Sequence, residues 1–461
     1  MQKIFYEVNT LDKRCYEKFS LSEDLLMEHA AIALENEISS KFEKNSSILI
    51  VCGMGNNGAD GISLARLLYL NYDVKLYIPF ELKSDMAKLQ LKRVQLLGLN
   101  TVKSPQECDV VVDCLFGSGL KRDLNEKSQD IINTLNSYNS YKIACDIPTG
   151  IDFRGDITTT AFFADTTITM GALKVSLFSD KAKDYVGKIK VAPLGVQREV
   201  YETQSNIYLL DKKDLKLPLR DKKNAHKGSF GHLNVVIGTK KGAGIIAAKA
   251  AFGFGAGLVS ALCHECVDLP YHIMQTHKIS ENCTAIAIGM GLGIFDKKEI
   301  ENILKLDLPT IIDADLFHED IIKMVLNKEV VLTPHPKEFC SLLKVCGIGD
   351  INVSELQKDR FKYVKIFCEK YPKVVLLLKG ANVLISQNEK IFVNRFGSAV
   401  LSKGGSGDVL AGLVGSLLAQ GYKPLDAAIN ASLAHTIAAS NYSKNNYSLI
   451  PSDLIEEVKK I

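Results

Sequence analysis

Short apolar runs separated by helix-length segments occur in two successive series along this chain, and this alternation limits the possible folds more than any other feature. The apolar runs of the first half are SSILIVC (46–52), DVKLYIP (73–79), DVVVD (109–113) and YKIACD (141–146). Those of the second half include HLNVVIG (232–238), VVLTP (330–334) and VVLLLKG (374–380), before helices predicted at 404–419, 424–440 and 452–460. Strands alternating with helices predict βαβ units and parallel sheets. Because the strands are apolar throughout, we expect both faces of each sheet to be covered.

A polar stretch separates the two series. It reads YETQSNIYLLDKKDLKLPLRDKKNAHKGSFG (201–231) and is typical of a connection followed by a domain entry. The chain has 461 residues, and a single core rarely grows past roughly 250–300 residues. We therefore predict two α/β domains, at 1–203 and 204–461, the first of them a Rossmann-like three-layer domain with a parallel sheet.

The composition excludes several classes of partner. Lys and Arg (56) nearly balance Asp and Glu (53), so the net charge of +3 predicts binding to neither nucleic acid nor an anionic membrane. The first residues contain no apolar signal segment, and no apolar run approaches the roughly 18 residues that a membrane span needs, so we expect a cytoplasmic protein. The eleven cysteines are scattered and are expected to be reduced. Cys263 and Cys266 form a CxxC without a clean second ligand pair, which favours buried strand-end residues over structural zinc.

A glycine-rich turn follows the first strand of the first half. The segment GMGNNGADG (53–61) lies between a strand and a helix, where free backbone N–H groups suit phosphate binding. Gly53, Gly55 and Gly58 fit the dinucleotide fingerprint GxGxxG, a weak match by itself, and only Glu81 stands near the position of the expected ribose-binding acid. An Asn-Gly-rich turn without a ligand is the alternative interpretation.

Two further strand ends in the first half carry polar groups. Asp113 ends one strand before the loop FGSG, and Asp146 ends another before Pro148 and Thr149. A single aspartate at a strand end is often only a helix cap. Because the carboxyl ends of parallel strands line one crevice, three such loops are expected to bring Asn57, Asp113, Asp146 and Thr149 together.

These three loops resemble the NAD(P)H-hydrate epimerase family over essentially all of residues 1–203. The resemblance implies that Asp146 lies beside the hydrated nicotinamide ring as the acid/base at its C6 hydroxyl, and that Asn57, Asp113 and Thr149 hold a potassium ion through oxygen atoms. The residues that it implies for dinucleotide binding are Asn56, Asn57, Gly58, Ala59, Asp60, Gly117, Ser118, Gly119, Leu120, Lys121, Arg122, Asp123 and Asp146. Ala59 departs from the glycine usual in the family, which matters if that position needs a positive φ.

The strongest motif of the second half is SKGGSGDVLAG (402–412), which opens an apolar helix. Successive glycine N–H groups at a helix N-terminus form an anion hole, and Asp408 follows in the first turn. Phosphoryl transfer needs such donors together with a carboxylate that deprotonates a hydroxyl. Further loops at predicted strand ends carry AIGMGLG (287–293), TPHPKEF (333–339) and LKGANV (378–383).

The motifs of residues 203–461, taken in their order along the chain, resemble those of the ribokinase-like superfamily. Within that superfamily they resemble the NAD(P)H-hydrate dehydratases. The resemblance implies that Ala243, Gly291, His335 and Asp408 contact the hydrated dinucleotide. It also implies that Lys379, Gly380, Ala381, Asn382, Val383 and Gly407 contact ADP, which is accompanied by Mg²⁺. Asp408 is then the catalytic residue that activates the C6 hydroxyl. The chain departs from the family at two points. Val383 stands near a position where the family often has threonine. The segment before the GxGD motif reads RFGSAVLSK, which differs from the sequence usual in the family.

Both halves together predict a bifunctional enzyme that repairs hydrated NADH and NADPH (NADHX and NADPHX), and the resemblance implies a homo-oligomer. Three alternatives stay open at this point. The chain is a ribokinase-like small-molecule kinase with an accessory nucleotide-binding domain, or its first domain is a non-catalytic binding module, or it is an NAD-dependent dehydrogenase. The missing ribose acid and the phosphoryl-transfer motif weigh against the dehydrogenase.

Overall fold

The structure, a computed structural model, describes residues 1–120, 122–157, 159–265 and 267–461. Two residues that the sequence analysis singled out, Lys121 and Cys266, lie outside the described residues. The chain divides into two compact units. The N-terminal unit comprises Lys3–Ser205, and the C-terminal unit comprises Asn206–Ile461 with Met1–Gln2. Among the described residues, no helix combines the length and the apolarity needed to cross a bilayer.

The N-terminal unit is built around a parallel sheet. Its strands are β1 (Gln2–Phe5), β2 (Ser47–Cys52), β3 (Asp73–Tyr77), β4 (Thr101–Val102), β5 (Val110–Cys114), β6 (Tyr141–Cys145), β7 (Thr166–Met170), β8 (Leu173–Lys174) and β9 (Lys188–Ala192). Its helices are α1 (Asn9–Phe19), α2 (Glu23–Ser39), α3 (Asn56–Leu68), α4 (Asp85–Leu96), α5 (Glu126–Ser137) and α6 (Arg198–Tyr201). The sheet order is β4-β3-β2-β5-β6-β7-β9, and β1 pairs separately with β8.

Strand β2 shows why this sheet is covered on both sides. Ile48 and Ile50 belong to one hydrophobic cluster, which includes residues of α2, α3 and α4. Leu49 and Val51 belong to another, which includes residues of α5. Successive side chains of a strand point to opposite faces, so an uninterrupted apolar strand supplies both clusters.

The C-terminal unit has a larger, mostly parallel sheet. Its strands are β10 (Ile207–Leu209), β11 (His232–Val236), β12 (Leu258–Leu262), β13 (Met274–Thr276), β14 (Ala285–Ile288), β15 (Thr310–Ile312), β16 (Val330–Leu332), β17 (Val375–Leu378), β18 (Val383–Gln387) and β19 (Lys390–Asn394). Its helices are α7 (Lys241–Gly253), α8 (Lys297–Lys305), α9 (Pro336–Val345), α10 (Val353–Lys358), α11 (Arg360–Lys370), α12 (Ser406–Ala419), α13 (Pro424–Asn441) and α14 (Pro451–Val458). The order is β13-β12-β11-β14-β15-β16-β17-β18-β19-β10, with β18 antiparallel to both of its neighbours.

The predicted α/β class is therefore confirmed in both units, and most predicted strands and helices agree with the observed bounds within two residues. The polar stretch after residue 200 is more structured than expected. Tyr201 ends α6 and is fully buried, and the brief apolar interruption Ile207–Leu209 forms β10. Because buried phenol rings can satisfy a hydroxyl locally, a polar neighbourhood in the sequence does not exclude a core residue.

Each sheet contains one point where the strand order reverses, and ligands of open α/β sheets bind at such points. In the N-terminal unit the reversal lies between β2 and β5, which neighbour each other although two strands separate them in the chain. In the C-terminal unit it lies between β11 and β14. The glycine-rich loops predicted to bind ligand follow these four strands.

Candidate active sites

A cavity of about 550 Å³ lies at the reversal point of the N-terminal unit. Most of the residues predicted for dinucleotide binding line it, namely Asn56, Asn57, Asp60, Gly117, Ser118, Gly119, Leu120, Arg122 and Asp146. Gly58 and Ala59 are buried in the first turn of α3 and support the loop from beneath. Asp123 is exposed and does not line this cavity.

The glycines of this site hold backbone segments in close contact. A Cβ atom on Gly58 would lie 2.0 Å from the carbonyl oxygen of Gly53, and one on Gly117 would lie 2.9 Å from Asn57 Oδ1 and 3.2 Å from Asp146 Oδ2. Ala59 has no positive φ and lies within the helix. The alanine at this position therefore causes no backbone strain.

Asp146 is held in a strained backbone conformation by a buried network. Its φ is +69°, a left-handed value that is uncommon for a residue with a side chain. Its Oδ1 accepts hydrogen bonds from Lys174 Nζ at 2.6 Å and from the Met170 N–H at 3.1 Å. Lys174 is 1% exposed and also donates to Thr169 Oγ1 and to the Met170 carbonyl.

This network fixes the charge of Asp146. Burial alone would raise the pKa of its carboxyl, but the Lys174 ammonium and the hydrogen bonds from Met170 and Ser118 hold that pKa below its usual value. Among the described residues, Oδ2 accepts one hydrogen bond, from the Ser118 N–H at 3.3 Å, and it lies beside Gly117 in the cavity wall. Asp146 is therefore an ionised carboxylate with one oxygen held and the other facing the cavity.

Two of the three residues predicted to hold potassium are in direct contact. Thr149 N–H donates to Asp113 Oδ2 and its hydroxyl donates to Asp113 Oδ1, both at 2.8 Å. Asp113 is fully buried and forms no ion pair with any described residue, so burial raises its pKa to about 6 against the hydrogen bonds from Thr149 and Leu115. The buried amide nitrogen of Asn57 makes no hydrogen bond with the described residues.

The predicted substrate loops of the C-terminal unit also meet at its reversal point. A Cβ atom on Gly291, whose φ is +60°, would lie 3.0 Å from Ala243 Cβ and 2.7 Å from the Lys240 carbonyl. The loops after β11 and β14 therefore touch, and only glycine permits this approach. Gly289, with φ +116°, packs still more closely on Asp313, since a Cβ atom there would lie 1.8 Å from the Asp313 carbonyl oxygen.

A cluster of charged side chains follows β15, β16 and β17 and faces the start of α12. Lys379 Nζ donates to Asp313 Oδ1 at 2.7 Å and lies 3.3 Å from where a Cβ of Gly407 would be. Burial raises the pKa of Asp408 to about 6, the charges of Asp313 and Glu338 add to this, and Lys379 opposes it. Asp408, in the first turn of α12, is thus close to the glycines of its own loop and to Lys379.

His335 caps α9 and contacts Glu338. Its Nδ1 accepts from the Glu338 N–H at 3.3 Å, and its Nε2 lies 3.1 Å from Glu338 Oε1. The His335 N–H donates to Glu338 Oε2 at 2.8 Å. The His335 side chain is about half exposed, and Glu338 is buried, so the imidazole remains accessible at the rim of the charged cluster.

The segment predicted to bind the nucleotide, residues 379–383, forms a turn whose backbone carbonyls accept hydrogen bonds from a buried arginine. Arg360, 2% exposed, donates to the carbonyls of Lys379 at 3.0 Å and Asn382 at 2.9 Å. Asn382 is buried, and Val383 is the first residue of β18, where it packs into the core. Gly380 and Ala381 form the outer part of the turn, close to Gly397.

Comparison with known proteins agrees with this geometry. Residues 23–176 match a family model described as YjeF-related protein N-terminus, and residues 233–460 match one described as NAD(P)H-hydrate dehydratase. The bifunctional NAD(P)H-hydrate repair enzyme Nnr of Helicobacter pylori is 46% identical, with 100% of both chains covered. The chain belongs to the bifunctional NAD(P)H-hydrate repair enzymes. The family predicted from the sequence is therefore confirmed.

A second repair enzyme, from Dictyoglomus turgidum, is 32% identical over 98% of this chain and 96% of its own. A crystal structure of the ADP/ATP-dependent NAD(P)H-hydrate dehydratase from Bacillus subtilis, co-crystallized with ATP/Mg²⁺, is 26% identical with a TM-score of 0.48. It covers 56% of this chain and 98% of that chain.

The sequence analysis did not identify several side chains that position other residues within each of the two sites of this repair enzyme. In the N-terminal unit they are Asp12, Lys174 and Tyr201; in the C-terminal unit they are Arg360 and His435. One signal was available for Lys174, because a lysine inside the apolar run ALKVSLF (172–178) is expected to have a buried partner. No local pattern marks the others, whose partners lie far away in the chain.

His435 is the clearest of these missed residues in the C-terminal unit. It lies on the buried helix α13, and its Nε2 contacts the Ser406 carbonyl at 2.9 Å, at the start of α12. Burial lowers the pKa of His435 to about 4, outweighing that hydrogen bond. A neutral imidazole thus donates to the backbone of the loop that presents Asp408.

Proposed function

We propose that this chain restores NADH and NADPH from their hydrates. Residues 1–203 interconvert the R and S epimers at C6, and residues 204–461 dehydrate the S epimer at the expense of ADP, giving AMP and phosphate. The observation that supports this most is the presence of one partly or fully buried carboxyl group at each candidate site. Asp146 faces the first cavity, and Asp408 faces a glycine loop and a lysine.

In the first domain, Asp146 is suited to accept a proton. Its ion pair with Lys174 keeps it ionised, and its outward oxygen lies in the cavity wall. A carboxylate in this position acts on the C6 hydroxyl of a hydrated nicotinamide. The loops at Asn56 and Gly117 present backbone N–H groups and open space to the phosphates, since glycine adds no side chain there.

In the second domain, Asp408 accepts the proton of the C6 hydroxyl, whose oxygen attacks the terminal phosphorus of ADP. The bond to the bridging oxygen breaks and AMP leaves. Phosphate then departs from C6 with the C–O bonding pair while C5 loses a proton, which restores the C5=C6 double bond. The backbone N–H groups before Asp408 and the ammonium of Lys379 are placed to stabilise the charge that develops on phosphate.

The residues at the predicted potassium site suit such an ion. Asp113 is a buried carboxylate that has no cationic partner in the part of the chain that the structure describes, and the Phe116 carbonyl oxygen lies 3.1 Å from Thr149 Oγ1. The unpartnered amide atom of Asn57 is satisfied by rotating the amide so that its oxygen meets a cation. Asn57, Asp113 and Thr149 would hold K⁺, which supplies fixed positive charge near the substrate.

Magnesium suits the second site in a different way. Mg²⁺ usually keeps several waters and is bound by one or two carboxylates together with substrate phosphates. The carboxylates that face Asp408 are Asp313 and Glu338, and together they raise its pKa. They would hold Mg²⁺ brought in by ADP, which supplies charge neutralisation at the transferred phosphoryl group.

Location and assembly are part of the same proposal. Nine described cysteines are free thiols, which agrees with a reducing compartment such as the cytoplasm; they are Cys15, Cys52, Cys108, Cys114, Cys145, Cys283, Cys340, Cys346 and Cys368. We propose a cytoplasmic homo-oligomer, to be tested by light scattering. The preference for ADP over ATP rests on the resemblance of the whole chain to two-domain enzymes.

The deciding experiment follows absorbance of the reduced nicotinamide with purified protein, both hydrate epimers, K⁺ and Mg²⁺, and either ADP or ATP. Full recovery with ADP is expected. Asp146→Ala should stop recovery near the share of the usable epimer, provided spontaneous epimerisation is slow, and Asp408→Ala should abolish it. A stable phosphorylated product without recovery would instead identify a small-molecule kinase.

A further inference from the structure

A further carboxyl group, Asp12, lines the epimerase cavity together with Asp60 and Asp146. It lies in the first turn of α1, outside all three glycine loops, and the neighbouring Val8 and Asn9 line the same cavity. The mechanism above gives it no role. A carboxyl group that is partly withdrawn from water and faces a substrate cavity is a candidate for proton transfer.

The phenol of Tyr201 holds Asp12 in place. Tyr201 is 1% exposed and donates to Asp12 Oδ1 at 2.6 Å. Its ring packs on Gly171, where a Cβ atom would lie 2.3 Å from Tyr201 Cζ, so this approach requires glycine. Arg14, two residues after Asp12 on α1, donates at 2.8 Å to the carbonyls of Tyr201 and Val200 and fastens α1 to α6.

The surroundings of the two carboxyl groups differ in kind. Asp146 has the buried ammonium of Lys174 against it, whereas the one hydrogen bond that Asp12 receives from described side chains comes from a neutral phenol. Burial raises the pKa of Asp12 and the charges of Asp146 and Glu7 add to this, against the Tyr201 hydrogen bond and Lys174. Two carboxyl groups in one site whose surroundings shift their pKa values in opposite directions commonly form an acid/base pair.

We propose that Asp12 is the second acid/base residue of the epimerase and that Tyr201 positions it. This inference rests on the proposed epimerase function. Asp12 donates its proton to the C6 hydroxyl, which leaves as water with the C6–O bonding pair while the N1 lone pair forms a C6=N1 bond. Water then adds to the opposite face of C6 and gives a proton to Asp146. One proton has moved from Asp12 to Asp146, and before the next turnover Asp146 releases a proton to solvent water while Asp12 takes one up.

The test uses the full chain without nucleotide, so that the dehydratase is idle, and follows R and S hydrates by chromatography in H₂¹⁸O. The substitution Asp12→Asn keeps an oxygen that accepts the Tyr201 hydrogen bond but removes the acidic proton. We expect kcat for epimerisation to fall by about 10²–10⁴-fold with KM little changed, the range typical of general acid–base catalysis. Entry of ¹⁸O at C6 should slow by the same factor.

Matched variants separate chemistry from folding. Glu17→Gln makes the same acid-to-amide change at an exposed position of α1 and should leave both rates unchanged. Asp12→Glu should recover part of the lost kcat, and Tyr201→Phe should lower kcat by about tenfold without raising KM. With ADP and Mg²⁺ added, dehydration of pure S hydrate should proceed normally in every variant.

Each outcome has one meaning. Wild-type kcat and ¹⁸O entry in Asp12→Asn would overturn the inference while leaving the epimerase assignment intact. Loss of kcat in Asp60→Asn with none in Asp12→Asn would assign the proton donor to Asp60, which lines the same cavity. Absence of epimerisation by the unsubstituted chain would instead refute the proposed function itself.

Discussion

The two proposed catalytic aspartates differ in their place in the fold and in their surroundings. Asp146 directly follows strand β6, and Asp408 lies in the first turn of α12, facing side chains that follow β15, β16 and β17. Asp146 is 7% exposed, and its partner is the buried ammonium of Lys174. Asp408 is half-buried, and the nearby ammonium of Lys379 is hydrogen-bonded to Asp313 instead. The fold thus places a carboxylate, and its neighbours set its charge and basicity.

This difference suits the two reactions. A base that remains ionised at every physiological pH serves an isomerisation in which protons only change places. A base with a pKa near 6 lies closer to neutrality, where Brønsted behaviour makes proton transfer most efficient. Each of the following changes tests one side of this comparison.

Breaking the Asp146–Lys174 pair should produce the largest effect. Lys174→Met leaves a buried carboxylate without its cation, which costs about 3–5 kcal/mol of unfolding free energy and abolishes epimerisation. Hydrogen exchange of the β6 and β7 amides measures the loss. The double variant Lys174→Met/Asp146→Asn should recover most of the stability but no activity. If the single variant is as stable as wild type, the ion pair does not fix Asp146.

His435 should make the C-terminal unit sensitive to acid. Burial lowers its pKa from 6.5 to about 4, so the unfolded chain binds a proton more readily between these values. The unfolding free energy is therefore highest above pH 6.5 with respect to this group. It falls as pH decreases toward 4, by about 3 kcal/mol in total. Urea unfolding of wild type and His435→Gln across this range tests it. Parallel pH curves for the two proteins would contradict the prediction.

Asp408 should give the dehydratase an acidic limb that the epimerase lacks. Because burial raises its pKa to about 6, protonation removes the base below that value. We expect kcat/KM of dehydration to be about tenfold lower at pH 5 than on the plateau. Glu338→Gln removes one of the charges that raise this pKa and should move the limb to lower pH. Initial rates with pure S hydrate, corrected for the uncatalysed reaction, provide the measurement.

The comparison also shows which features of the fold and of the sites can be predicted from the sequence. Alternating apolar strands and helices predicted both sheets. Polar residues after strands predicted that Asn57 and Asp146 lie close together, because parallel strands bring their carboxyl ends to one edge, and both line the same cavity. The partners of these residues were not predictable. Asp12 and Tyr201 are separated by 189 positions, and only the packing of α6 against α1 brings them together.

The smallest effect is expected at Ala59, where the chain departs from the glycine usual in the family. Its methyl group is fully buried within α3, and no positive φ is required there. Ala59→Gly should therefore lower the unfolding free energy of the N-terminal unit by about 1 kcal/mol, through the entropy of a helical glycine, and leave epimerase kcat unchanged. A gain in kcat would show that the alanine obstructs the loop. The substitution Gly55→Ala, at a position where an added Cβ atom would have open space around it, serves as the opposite change. We propose that the loop before α3 contacts the dinucleotide and that Asp146 is the base. A change in stability without a change in rate would then show that the helix beneath that loop only supports it.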